Sequence, residues 1–253
     1  MTARSGMRRG GLLALAAALV VLAPTASPAG AAEQRRQGCQ PAGATADWPY
    51  WARQRDITVL VDSVLLSGKD KLRGVMSCRR IGLRGRPAMM LRSAEAQLRA
   101  LKRRVAPLVV VGLGYNSLWS RNRERYDYWA ARFDGEAGRL VDMLRRLGAR
   151  QVVWVTLREP QARFLPPAGR RELGLYAWYF PYVNERLRVL DRARDDVVLA
   201  DWAAVSDRPG LTYDSIHLTA KGGLLMARTI RAAIAAEAAR QARVARMSAS
   251  RDP

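Results

Sequence analysis

Along the chain, short unbroken apolar runs alternate with longer stretches in which apolar residues recur every three to four positions. Ile57 to Val61, Leu108 to Val111, Gln151 to Thr156 and Val197 to Ala200 are apolar or β-branched runs bounded by polar residues, which predicts buried strands. A weaker candidate lies at Arg80 to Leu83. Helical spacing falls between them, over Ser93 to Arg104, Gly135 to Leu147, Arg171 to Arg194 and Lys221 to Ala245. In the second of these, Ala137, Leu140, Val141, Leu144 and Leu147 form one apolar stripe, while Arg139, Asp142, Arg145 and Arg146 take the other side. Gly148 then stands where a C-terminal cap belongs, and Pro181 is expected to kink or interrupt the third helix. Alternating strands and helices predict an α/β domain over residues 55–240, with a parallel, roughly five-stranded sheet covered on both faces and no internal repeat.

The ends of the chain read differently. Arg4, Arg8 and Arg9 precede an apolar run from Gly11 to Ala23 that finishes in small residues, so residues 1–31 are expected to be a signal peptide cleaved near Ala31 or Ala32. The run falls short of the roughly 20 residues that a spanning helix needs, and no later segment is long and apolar enough to span. Residues 32–54 read as an N-terminal linker and residues 241–253 as a basic tail. The expected location is therefore outside the cell or in its envelope. In that oxidising setting Cys39 and Cys78, the only two cysteines, are able to pair. Two cysteines and one histidine do not make an ordinary four-ligand zinc site, and neither a metal nor a cofactor is expected.

The formal charge is +21, and losing Arg4, Arg8 and Arg9 with the leader lowers it to +18. A field of that size favours anionic surfaces. For an exported protein the common anions are envelope polymers and lipid headgroups, and the basic residues are spread along the chain, so nucleic acid is not the expected partner. A soluble basic surface with no such partner is the plain alternative.

In doubly wound sheets the ligand crevice lies beyond the carboxyl ends of the strands, which directs attention to the residues after Val61, Val111 and Thr156. Asp62-Ser63 follows the first strand directly and would set the Ser63 hydroxyl on a tight strand-to-helix turn. The same pair also reads as an ordinary helix cap. Far along the chain, Tyr213-Asp214-Ser215-Ile216-His217-Leu218-Thr219 contains the only histidine. A serine nucleophile needs a base whose pKa lies near neutrality, which an unperturbed imidazole supplies, and a carboxylate three residues earlier can hold the required tautomer. Ser63, His217 and Asp214 are thus candidates for nucleophile, base and orienting acid. Residues 115–133 are rich in aromatics and arginines, with Trp119, Tyr126, Tyr128 and Trp129, and would overhang the crevice to grip a sugar or acyl chain or else cover the sheet. Trp178, Tyr179, Phe180 and Tyr182 read as packing.

These stretches resemble the SGNH, or GDSL-type, hydrolase superfamily, whose motif blocks appear here in order. The first corresponds to Val61-Asp62-Ser63-Val64, the third to Gly114-Tyr115-Asn116-Ser117 and the fifth to Asp214-Ser215-Ile216-His217-Leu218-Thr219. The resemblance implies a flavodoxin-like three-layer α/β/α sandwich and a Ser63–His217–Asp214 triad that cleaves or transfers acyl esters, acylated sugars or lipids among them. It also implies an oxyanion hole made by Asn116 and the backbone N–H groups of Ser63 and a second-block glycine. That glycine is Gly85 or Gly82, with Gly85 preferred because Gly85-Arg86 resembles the block of acyltransferase-associated members. Gly112-Leu113-Gly114 would let the backbone bring Asn116 up to a reacting carbonyl, although taken alone Asn116 reads first as an ordinary turn residue. Two positions depart from the pattern: Val61 replaces the glycine that usually precedes Asp-Ser, and Ser117 stands where many members carry an aspartate. Val61 leaves open a second reading, in which the protein keeps the fold without catalysis and binds anionic envelope polymer.

Overall fold

The computed structural model describes residues 47–101, 104–118, 123–159 and 177–250, together with positions 163, 167 and 170. The expected signal peptide, most of the expected linker, Cys39 and Trp119 lie outside the described residues. Five strands, β1 (Asp56–Val61), β2 (Arg80–Gly85), β3 (Leu108–Gly112), β4 (Gln151–Val155) and β5 (Val197–Ala200), form one sheet in the order β2-β1-β3-β4-β5. Every pairing is parallel. Every residue of β3 and β4 and all but the first of β1 are buried, which is why these strands read as unbroken apolar runs rather than alternating ones. Burial of each such Val or Leu side chain is worth about 1.5–3 kcal/mol.

Helices cover both faces. One layer holds α1 (Tyr50–Arg53), α3 (Lys69–Val75) and the long α8 (Ala220–Ala249), which packs on α1, α3, β4 and β5. The other holds α4 (Leu91–Arg99), α5 (Tyr126–Arg146) and α6 (Phe180–Ala193), packed in sequence against one another. Two short helices, α2 (Ser63–Ser67) and α7 (Trp202–Val205), follow the ends of β1 and β5. No helix among the described residues is long and apolar enough to cross a membrane.

Several boundaries differ from those read in the sequence. Helix α5 begins at Tyr126 rather than Gly135, so the expected overhanging segment becomes helix for its second half. Trp129 and Phe133 extend the stripe of Ala137, Leu140 and Leu144 by two more steps of four, and all five are buried. Pro181 does not kink a helix but sits in the first turn of α6, where its missing N–H would have had no partner. Helix α4 stops at Arg99, short of the expected Arg104. At the chain ends, residues 47–54 bury Trp48 and Trp51, and Trp51 Nε1 donates to Gln241 Oε1 at 3.0 Å. Helix α8 runs on to Ala249, into the residues expected as a tail, burying Ala242. Cys78 is disulfide-bonded.

Candidate active site

The strand order makes the site. From β1 the chain passes outward to β2 and then returns to the other side of β1 as β3, so a crevice opens between β1 and β3 at their carboxyl ends. Val61 at the end of β1 faces Gly85 on one side and Gly112 on the other. Val61 is extended strand and needs no positive φ, so a valine in place of glycine before Asp62 leaves the turn unstrained; Ala88 and Ser215 are the only described non-glycine residues with positive φ. Asp62 stays extended, and its Oδ1 accepts the Val64 N–H at 2.9 Å, capping α2. The capping residue is thus Asp62, which leaves the Ser63 hydroxyl at the head of α2 for other work. Asp62 has no solvent exposure, and that burial pushes its carboxyl up to about 7 against the opposing pull of the Val64 and Leu65 N–H groups and of His217.

His217 arrives from the loop before α8. Its Nε2 lies 2.9 Å from Ser63 Oγ, although the two residues are 154 positions apart. Its Nδ1 lies 2.5 Å from Asp214 Oδ2. The other oxygen of Asp214 accepts the backbone N–H of His217 at 2.8 Å and of Ile216 at 3.3 Å, so one carboxylate both shapes the loop and holds the ring. Burial works against the charged form of Asp214, yet these hydrogen bonds and the His217 charge hold its pKa below the usual carboxylate value. The Tyr213 ring stacks on the imidazole at 5.7 Å between centroids, with its outer face open to solvent. Ser67, in the last turn of α2, accepts the Leu218 N–H at 2.9 Å through its hydroxyl.

The remaining candidates gather at the same strand ends. Asn116 follows β3, and its Nδ2 donates to Asp62 Oδ2 across a long 3.4 Å. Gly85 closes β2 directly beside Val61, at φ +139°, where a Cβ would lie 1.9 Å from the Val61 carbonyl oxygen. Gly82 pairs with Thr58 three residues back from the crevice, which places Gly85 and not Gly82 at the crevice end. Ser117 Oγ is buried without a hydrogen-bond partner among the described residues. Of the aromatic segment, Tyr128 is exposed beneath the Arg125 guanidinium at 4.5 Å, while Trp129 packs inward, edge-on to Tyr128. Ser67 and Arg158 escape a reading of the sequence: a serine in a short helix and one arginine among 43 basic residues carry no spacing signal.

No protein-family model matches the sequence, and no match was found among curated protein sequences. Among solved structures, the chain is similar to a GDSL-like lipase from Bacteroides thetaiotaomicron, with TM-score 0.56 and 16% identity over 80% of this chain and 96% of that one. It is also similar to a protein from Slackia heliotrinireducens described by inference as an SGNH hydrolase, with TM-score 0.54 and 17% identity over 72% and 99% of the two chains. A lipase/acylhydrolase from Enterococcus faecalis gives TM-score 0.53 and 17% identity over 72% and 96%. At these identities the likeness is one of fold, and the five-stranded flavodoxin-like sandwich is the fold of SGNH hydrolases.

Proposed function

On the fold that the chain shares with these hydrolases, we propose that it is an exported acyl-ester hydrolase or acyltransferase whose nucleophile is Ser63, with His217 as base and Asp214 as orienting acid. The observation that carries this reading is the unbroken line from Asp214 Oδ2 through both ring nitrogens of His217 to Ser63 Oγ, lying at the crevice end of the sheet. His217 Nε2 takes the hydroxyl proton as Ser63 Oγ attacks the ester carbonyl. The depressed pKa of Asp214 keeps it ionised beside the imidazolium that forms. Asn116 Nδ2 and the N–H groups of Ser63 and Gly85 receive the oxyanion, each donor being worth roughly 3 kcal/mol of barrier. Collapse of the tetrahedral adduct passes the proton from His217 to the leaving alkoxide and leaves an acyl-serine. Water then releases the acid in a hydrolase, and a sugar or lipid hydroxyl accepts the acyl group in a transferase. Export is supported by the basic, apolar and small-residue order of residues 1–31 and by the disulfide at Cys78.

Activity-based labelling tests this directly. A fluorophosphonate is expected to modify the mature protein at Ser63, and Ser63→Ala and His217→Ala are each expected to abolish hydrolysis of a short-chain nitrophenyl ester while the circular dichroism spectrum stays unchanged. Undiminished turnover in either variant refutes the triad. Absence of labelling, together with salt-sensitive binding of an anionic envelope polymer, would favour the non-catalytic reading instead.

A further inference from the structure

Arg158 lies three residues beyond β4 and is buried to 3% exposure, an unusual place for a guanidinium. Its bonds run to one segment, the loop between α7 and α8 that carries Asp214 and His217. Nε donates to the Ser206 carbonyl at 3.0 Å and Nη2 to the Arg208 carbonyl at 3.1 Å. Nη1 donates to Thr212 Oγ1 and, at 3.2 Å, to the carbonyl of Ser215. The grip thus extends from the first residue after α7 to the residue directly after Asp214. Ser215 is itself buried and holds φ at +89°, a conformation that costs a non-glycine residue of the order of 1–3 kcal/mol unless its surroundings impose it. The bond from Arg158 to the Ser215 carbonyl is such an imposition.

Arg158 also faces the other half of the site. Its backbone N–H donates to the Tyr115 hydroxyl at 2.5 Å, and the Tyr115 carbonyl accepts from the hydroxyl of Tyr179. Tyr115 immediately precedes Asn116, so one residue joins the loop after β3 to the loop before α8. A guanidinium placed for surface charge would face water or a carboxylate; here the fork is spread over three carbonyls and one hydroxyl of a single loop. A lysine ammonium, with three donors about one point, cannot reach all four acceptors.

We propose that Arg158 is the positioning residue of this site, fixing the loop from Ser206 to Ser215 so that Asp214 and His217 meet Ser63. The proposal rests on the triad reading above. Because its guanidinium bonds to the loop and not to Ser63, Arg158 acts through His217, so its loss should show in the rate of the chemical step rather than in substrate affinity.

The test uses the mature protein and three variants: Arg158→Lys, Arg158→Ala and the milder Thr212→Val, which removes one acceptor of the clamp. In a folded Arg158→Lys, kcat for a nitrophenyl ester and the fluorophosphonate labelling rate are expected to fall about 10²-fold, the scale of a 1 Å misplacement, with KM within threefold of wild type. Because the chain has a single histidine, the ring-proton resonance of His217 hydrogen-bonded to Asp214 reads the geometry without ambiguity. That resonance is expected to shift or broaden away in Arg158→Lys as the contact of the ring with Asp214 loosens. Free guanidinium ion at millimolar concentration is expected to restore part of the rate in Arg158→Ala. A folded Arg158→Lys with wild-type kcat, KM and resonance overturns the proposal while leaving the triad standing. Should Arg158→Lys not fold, Thr212→Val decides by the same readouts: a tenfold or greater loss of kcat at unchanged KM supports the clamp, and wild-type behaviour overturns it. Failure of wild-type protein to label at Ser63 fails the triad instead, and is seen before any variant is made.

Discussion

Asp62→Asn separates the structural cost of a buried carboxylate from its usefulness. In the folded protein the Asp62 pKa rises from 3.8 to about 7, with burial the main cause. Three pKa units at about 1.4 kcal/mol each place the penalty for ionising it in the fold on the order of 4 kcal/mol. The native state therefore retains this proton between about pH 4 and pH 7, where the unfolded chain has lost it, so wild-type stability falls as pH rises through that window and levels off above it. An asparagine cannot ionise. It can still accept the Val64 N–H through its oxygen, but its amide would meet the amide of Asn116, forfeiting about 1 kcal/mol for the long 3.4 Å bond. Asp62→Asn should thus be about 1 kcal/mol less stable than wild type at pH 4 and about 3 kcal/mol more stable at pH 8. Urea denaturation of both proteins at pH 4, 6 and 8 measures the difference, in which Asp214 and the other carboxylates cancel. An equal difference at pH 4 and pH 8 would refute the buried, protonated carboxyl. Turnover of a nitrophenyl ester at pH 8 then tells whether the native carboxylate contributes anything beyond its cost.

Asp214→Asn is expected to lower kcat by about 10³-fold or more, because the amide no longer holds the base tautomer, while Ser63 still labels slowly. Its depressed pKa adds stability that is present above the ordinary carboxylate value and is lost as pH falls through the lower folded value, so in acid denaturation the variant should approach wild type only once the pH has fallen below that folded value. For the two candidate oxyanion-hole glycines, Gly85→Ala meets both a φ of +139° and the Val61 carbonyl, and is expected to lose about 3 kcal/mol or more of stability together with ester hydrolysis. Gly82→Ala places its methyl 3.7 Å from the nearest backbone oxygen and should stay within about 1 kcal/mol of wild type with activity kept; thermal melts and initial rates on the pair check both.

What the sequence discloses here depends on whether a signal is local. β1, β3 and β4 are legible because sheets covered on both faces need unbroken apolar strands, and Asp62-Ser63 is legible because it abuts one of them. The loop of Asp214 and His217 stands out through the single histidine and a spacing of three, which the structure uses twice, once through the ring and once through the backbone N–H of His217. The start of α5 is missed because residues 115–133 read as one overhanging segment; the spacing of four from Trp129 through Phe133 to Ala137 was the countervailing signal. Pro181 misleads because a proline tolerated in a first turn and one that breaks a helix look alike until the helix start is known. Arg158 and Ser67 are invisible for a different reason. Each acts on a partner at least 48 positions away through a backbone group, and backbone groups leave no trace in the choice of partner residue.

Ser67 has a consequence for how the crevice adapts. It stands one helical turn after Ser63 on the same short helix, and it carries the main chain of Leu218, next door to the imidazole. In the proposed reaction, attacker and base are therefore mounted on a common bracket, and their separation is set by main-chain anchorage that neither side chain supplies. Bulky or slender acyl groups must then be accommodated at the rim of the crevice, so that evolution can reshape the mouth for new esters while the hinge-pin of the chemistry stays where it is.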